Sequence, residues 1–161
     1  MNKTIRSKQS MPIKQRLTAI IDSINVDIFG YEKLVNQNVQ RFIEETASQA
    51  GVNPQTLFVR IVKPGQSLRV FLHAGAQQIE ELTIKDLVLF FVGSSSVVNP
   101  ATVADRVISF MDAYAHEKNL DVSRLYILIS SQDKHTFVKS FCDQQFVEDI
   151  PLKQLINQFK S

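Results

Sequence analysis

Two apolar runs with a helix-length segment between them constrain this chain most. Leu87-Val88-Leu89-Phe90-Phe91-Val92 and Arg124-Leu125-Tyr126-Ile127-Leu128-Ile129 are each continuous enough for a strand buried on both faces. Between them, Pro100–Lys118 carries Val103, Val107, Phe110, Met111 and Tyr114 at helical spacing. A strand, a crossover helix and a second buried strand make a βαβ unit, which demands parallel pairing. The expected fold is therefore α/β with a mixed sheet, the rest of the chain packing around that unit.

The flanking segments extend the pattern. Ile13, Leu17, Ile20, Ile21 and Ile24 form one stripe behind Pro12, which suits a first helical turn, and Gly30 is expected to end that helix. A second helix is expected over 31–50, with Val35, Val39, Phe42, Ile43 and Ala47 inward and Gly51 as a left-handed stop. Strands at 57–62 and 68–72 flank Lys63-Pro64-Gly65-Gln66, whose Pro-Gly pair suits a type II turn. Ala74-Gly75-Ala76 suggests a turn, and 77–82 fits either a helical turn or an edge strand. Asn99-Pro100 predicts the start of the long helix, Lys118-Asn119 its end. Ser131 or Asp133 is expected to cap a short helix reaching Cys142, with Phe137, Val138 and Phe141 inward. A strand at 146–150 and a helix opening at Pro151 complete the order: two N-terminal helices, a β-hairpin, then βαβαβα. No internal repeat is seen. The predicted organisation is a basic flexible tail over 1–11 and a single α/β domain over 12–161.

Charge and cysteine content narrow the function. The net charge of +2 conceals a basic start: Lys3, Arg6, Lys8, Lys14 and Arg16 precede the first acid, Asp22, leaving 13 basic and 16 acidic residues in the remainder. Such an arm can hold nucleic acid weakly and in a salt-sensitive way. It also has the composition of an organelle transit peptide, one shared with ordinary flexible tails. The single Cys142 excludes an internal disulfide and fits a reducing, intracellular compartment, cytoplasm or nucleus. The longest uncharged run, 87–104, holds three serines, Asn99 and Pro100, so no membrane span is expected.

No catalytic motif emerges. There is no GxSxG elbow, no phosphate-binding glycine motif, and no Asp followed by Glu-x-Lys on the hairpin. Cys142 is expected to be a buried, inert thiol, and His73, His116 and His135 surface or loop residues rather than general bases. One cysteine and three scattered histidines offer no zinc cluster. No cofactor is expected. Two weaker sites remain. Gly93-Ser94-Ser95-Ser96, after the first expected strand, and Ser131, after the second, would lie at one sheet edge, where helix N-termini favour anions or nucleotides. Arg60, Lys63 and Arg69 on the hairpin would add a nucleic-acid patch to the arm, one weakened without aromatic residues on the same face.

Residues 87–157 resemble the N-terminal jaw module of the small subunit shared by the eukaryotic nuclear RNA polymerases. The likeness lies in the strand with Leu89-Phe90-Phe91, the polar loop, the helix ending at Lys118-Asn119, the 124–129 run, a short helix, Gln144-Gln145-Phe146 and Ile150-Pro151-Leu152. Two helices before the sheet fit the same order. This chain ends where that family's assembly domain would start, and no functional residue carries over. The resemblance implies a catalytically inert module near DNA in a larger machine. The function expected is therefore a non-enzymatic binding module, a subunit or accessory factor of a larger assembly with protein partners, nucleic acid being reached through the basic N-terminus. The alternative is a small enzyme or anion-binding domain using loops 93–98 and 130–133.

Overall fold

The computed structural model describes residues 13–93 and 98–159, with side chains from 31 onward. The chain divides into two units, Met1–Tyr31 and Glu32–Ser161. Of the first, the described part is helical backbone. The stripe Ile13–Ile24 falls where side chains are not described, and the tail 1–11 lies outside the described residues.

The two expected N-terminal helices are one, α1, Ile13–Ala50. Gly30 does not end it: a glycine inside a helix costs about 1 kcal/mol relative to alanine, less than a break requires. The stop comes at Gly51, φ +69°. Six strands follow: β1 Leu57–Val62, β2 Arg69–Ala74, β3 Gln77–Leu82, β4 Leu125–Gln132, β5 His135–Cys142 and β6 Gln145–Ile150. Three more helices, α2 Ile84–Val92, α3 Pro100–Lys118 and α4 Leu152–Ile156, and two 3₁₀ turns, Pro54–Thr56 and Val122–Arg124, complete the described elements. The strands form one sheet in the order β3-β2-β1-β4-β5-β6, and every pairing is antiparallel. The mixed sheet and the parallel βαβ unit are not formed.

The error has a local cause. The run 87–92 is helix α2, not a strand. Thr83 and Asp86 form a capping box, each side chain bonded to the other's backbone N–H (2.9 and 3.0 Å). An apolar run can be buried by either element, and the cap decides. Likewise 133–142 is not a helix. Asp133 and Lys134 both take positive φ, as do Asp143 and Gln144, giving two-residue hairpin turns on either side of β5. The short helix and the strand at Leu89-Phe90-Phe91 on which the polymerase resemblance draws are thus elements of the other type. The 57–72 hairpin is present, but six residues join its strands and Gly65 is not at positive φ, so the type II turn is not formed. Residues 77–82 are an edge strand. Helix α3 begins and ends as its sequence predicts: Asn99 accepts a hydrogen bond from the Ala101 N–H at 2.8 Å, and Asn119 closes it at φ +57°.

The chain does repeat. Glu32–Ser161 holds the order helix, 3₁₀ turn, three strands, helix twice, the second copy 68 positions after the first without a gap. Val35, Val39, Phe42, Ala47, Leu57, Ile61, Val70, Leu87 and Phe91 recur as Val103, Val107, Phe110, Ala115, Leu125, Ile129, Val138, Leu155 and Phe159. The left-handed stop Gly51 recurs as Asn119, and the caps Asn53 and Asp121 each accept from the N–H two residues on. The copies meet about a local dyad. In the sheet centre Arg60 pairs with its own counterpart Leu128, flanked by Val59 with Ile129 and Ile61 with Ile127. Behind it, Phe91 touches its counterpart Phe159 at 4.5 Å between ring centroids.

Strand alternation sets two faces. Leu57, Val59 and Ile61, and likewise Leu125, Ile127 and Ile129, are buried, toward the helices of Glu32–Ser161. Each such side chain contributes about 1.5–3 kcal/mol relative to exposure. Three polar links tie helices to this inner face. Lys63 Nζ meets Asp112 of α3 at 3.0 Å, Tyr114 and Ser140 share a hydrogen bond of 2.7 Å, and Asn36 accepts from the Thr136 N–H at 2.8 Å.

Candidate binding face of the sheet

The other face of each strand faces away from these helices. Three rows of side chains cross it, fixed by the strand registers. One row runs Arg69, Val62, Tyr126, Phe141, Phe146. The next runs Glu81, Phe71, Arg60, Leu128, Lys139, Asp149. A third holds Gln78, His73, Phe58, and beyond them Ser130 with Phe137. Aromatic residues on a strand's outer positions stand side by side because neighbouring strands are about 4.8 Å apart. Tyr126 and Phe141 are stacked at 5.0 Å and 6° between planes, and Phe146 meets Phe141 edge-on at 5.7 Å. Phe146 is 53 % exposed and Phe137 40 %. Phe58 and His73 stack at 5.1 Å.

Cations are interleaved with these rings. The Arg60 guanidinium lies 5.5 Å from the Phe71 centroid and 5.4 Å from that of Tyr126. Arg69 stands over Phe71 at 5.1 Å, and the Lys139 ammonium over Phe146 at 5.9 Å. Their compensation differs. Arg69 grips Glu81 in a two-pronged bond (2.9 and 2.7 Å), which raises the guanidinium pKa and lowers that of the carboxylate. Lys139 stands opposite Asp149 in the strand register. Arg60 Nε is buried without a hydrogen-bond partner, and so is His73 Nε2. Burial, and then the charge of Arg60, hold the His73 pKa below its ordinary value.

The sequence-predicted sites are placed as follows. Arg60 and Arg69 share the outer face, with the aromatic residues that the sequence alone did not put beside them. Lys63 does not join them: it is buried on the inner face against Asp112. Lys3, Arg6 and Lys8 lie outside the described residues. Lys14 and Arg16 are on α1 where side chains are not described. Gly93 ends helix α2 at φ +88° and lines a groove of about 470 Å³ with Asn38, Arg41 and Leu89. Ser94, Ser95 and Ser96 lie outside the described residues. Ser131 is on β4, paired with Thr136. With 87–92 helical, the parallel strand edge that was to bring Gly93 and Ser131 together is not formed. Cys142 is partly exposed on a strand, not at a helix end. His73 is buried in β2 rather than at the surface or in a loop, whereas His116 and His135 are exposed.

The face was missed because its residues come from both copies and from strands read as helix. The signal available was the alternation His135-Thr136-Phe137-Val138-Lys139-Ser140-Phe141. Among the described residues no group of three His, Cys, Asp or Glu is placed to hold a metal ion, and no helix is long and apolar enough to cross a membrane. Comparison with models of protein families, with curated proteins and with solved structures returned no match.

Proposed function

We propose that this chain is a non-enzymatic binding module, a subunit or accessory factor of a larger nucleic-acid-associated assembly, and that the outer face of its sheet is the binding surface. The observation carrying this reading is the interleaving of rings and cations on that face: Tyr126, Phe141 and Phe146 beside Arg60 and Lys139. Stacking platforms of this composition suit single-stranded nucleic acid, whose bases offer π-faces and whose backbone offers phosphates. The basic segment from Lys3 to Arg16 would add a further salt-sensitive contribution.

Fluorescence polarisation with labelled single-stranded RNA and DNA of about ten nucleotides tests it. The full chain is expected to bind at low salt and to weaken steadily as salt rises. Absence of binding to both oligomers at low salt would refute the proposal.

A further inference from the structure

Resting on that reading, we infer that the bound strand lies across β4, β5 and β6 with a base on the exposed ring of Phe146, which Phe141 and Tyr126 buttress, and that Arg60, backed by His73, holds its phosphodiester backbone.

The duplication makes the argument. A surface inherited twice would be symmetric about the dyad, and this one is not. Arg60, at the centre, faces its counterpart Leu128, and the counterpart of His73 is Phe141. The counterpart of Gln78 is Phe146, and that of Phe58 is Tyr126. The three rings in contact therefore belong to the second copy, and the uncompensated nitrogens to the first. The two halves of the face differ in chemistry, so a bound strand has one half for stacking and one for charge.

Arg60 is the natural anchor. Arg69 already satisfies Glu81, and Lys139 stands opposite Asp149. Arg60 has ring neighbours on both sides and a buried Nε without an acceptor. His73, 8 % exposed, adds a second buried nitrogen without a partner. Buried polar atoms are nearly always hydrogen-bonded, so two unpartnered nitrogens, one of them in the guanidinium itself, are a deficit that an anion drawn to this face can fill. A guanidinium suits phosphate because its planar fork donates two bonds at once. Arg60 on β1 stands three strands from Phe146 on β6, about 14 Å across the sheet, so a strand stacked on Phe146 and crossing β5 and β4 brings its backbone to the guanidinium. A duplex hides its base faces, so the site takes single strands, and it tolerates any sequence because every base has a π-face.

The test is a salt titration of oligouridylate and oligothymidylate binding, with thermal unfolding confirming that each variant folds. Arg60→Gln should weaken binding of both oligomers and lower the slope of log affinity against log salt by about one. Arg60→Lys should retain the slope. Phe146→Leu should weaken binding by up to about five- to 150-fold, the range for one lost base stack, with the slope unchanged. His73→Phe gives a separate readout. An anion at the site favours protonated His73, so wild-type affinity should rise as pH falls from about 7 toward 5.5, and this rise should vanish in the variant. The charged groups around His73 on this face are Arg60 on β1, Arg69 on its own strand and Glu81 on β3. If wild type binds but Arg60→Gln leaves affinity and slope unchanged, the anchor is wrong and the binding face stands. If neither oligomer binds wild type, both fall. If an acidic peptide displaces the oligomers from Arg60 while Phe146→Leu has no effect, the surface takes carboxylates of a protein and the inference is overturned.

Discussion

Phe91 and Phe159 occupy matching places in the two copies, each fully buried, with ring centroids 4.5 Å apart and planes at 36°. They are where the copies meet behind the sheet, so substituting them measures how far the two halves stabilise each other. Leucine is the probe, because alanine at a fully buried phenylalanine costs about 3–5 kcal/mol and the double variant would exhaust a stability of about 5–15 kcal/mol. Phe91→Leu and Phe159→Leu keep most of the volume and should each cost about 1–1.5 kcal/mol. An aromatic pair in contact contributes about 0.5–1.5 kcal/mol beyond its area. That contribution is already lost in either single variant. The double variant should therefore be less destabilised than the sum of the singles, by this amount. Urea unfolding followed by far-UV circular dichroism reads all three, with an unchanged denaturant slope as the sign that only stability has moved. In thermal scans each single variant should melt about 2–6 °C lower. Strict additivity, or two unfolding transitions in the wild type, would refute the idea that the copies close on one another through this pair.

Asp112→Asn should cost about 1–3 kcal/mol in urea unfolding, because it strips the counter-ion from buried Lys63, whereas Lys63→Met should be neutral or stabilising. Gly93→Ala should cost about 1–3 kcal/mol by the same measure: its φ of +88° is glycine territory, and a Cβ would meet Asn38 Nδ2 at 3.0 Å. His73 has a folded-state pKa below its unfolded value of 6.5, so the unfolded chain takes up the proton first. Its contribution is present above pH 6.5 and lost progressively as pH falls below that value through the depressed folded-state pKa, and His73→Phe should flatten this part of the stability profile. The Tyr114 phenol, pushed up to about 12 mainly by burial, should ionise in ultraviolet titration well after an exposed tyrosine, and stability should fall as pH rises from 10 toward 12.

How much could be read in the sequence varied with the kind of signal. Elements marked by chemistry at their ends were legible: Asn99-Pro100 and Asn119 bounded α3, Gly51 ended α1, and Pro151 opened α4. Elements judged on apolar content alone were not. The run 87–92 is as apolar as a doubly buried strand, and only Thr83 with Asp86 marks it as a helix. Phe137, Val138 and Phe141 fit a helical stripe, but Asp133-Lys134 and Asp143-Gln144 are tight-turn pairs, and two tight turns eight residues apart leave room only for a strand. Once those two segments were misassigned, the copies no longer had the same element order, and the repeat was hidden although nine of its inner positions hold the same residue twice. The binding face followed from the same loss. Arg60 and Arg69 were visible on the hairpin, whereas Tyr126, Phe141 and Phe146 become their neighbours only when β1 and β4 pair.

The duplication also separates what packing requires from what the surface does. Positions against the helices hold the same or a closely similar residue in both copies: Val35 and Val103, Ile43 and Met111, Leu57 and Leu125, Leu82 and Ile150, Phe91 and Phe159. Both copies fill one core about one dyad, so the same volume is demanded twice. The outer positions hold unlike pairs: Arg60 and Leu128, Arg69 and Phe137, Phe71 and Lys139, His73 and Phe141, Gln78 and Phe146. A face exposed only to water would also drift, but toward small or polar side chains, since an exposed ring gains nothing from burial. Here the second copy has gathered Phe137, Phe141 and Phe146 at the surface, and two of these are among the most exposed large apolar side chains described. A row of touching rings, Tyr126, Phe141 and Phe146, with the Arg60 guanidinium at one end is what a surface shaped by a ligand retains. The same contrast makes the second copy the informative place to look for loss of function. Restoring the polar first-copy residue there, as in Phe146→Gln, should lower the unfolding midpoint by only a few degrees, through the lost edge contact with Phe141, and abolish the stacking contribution to binding.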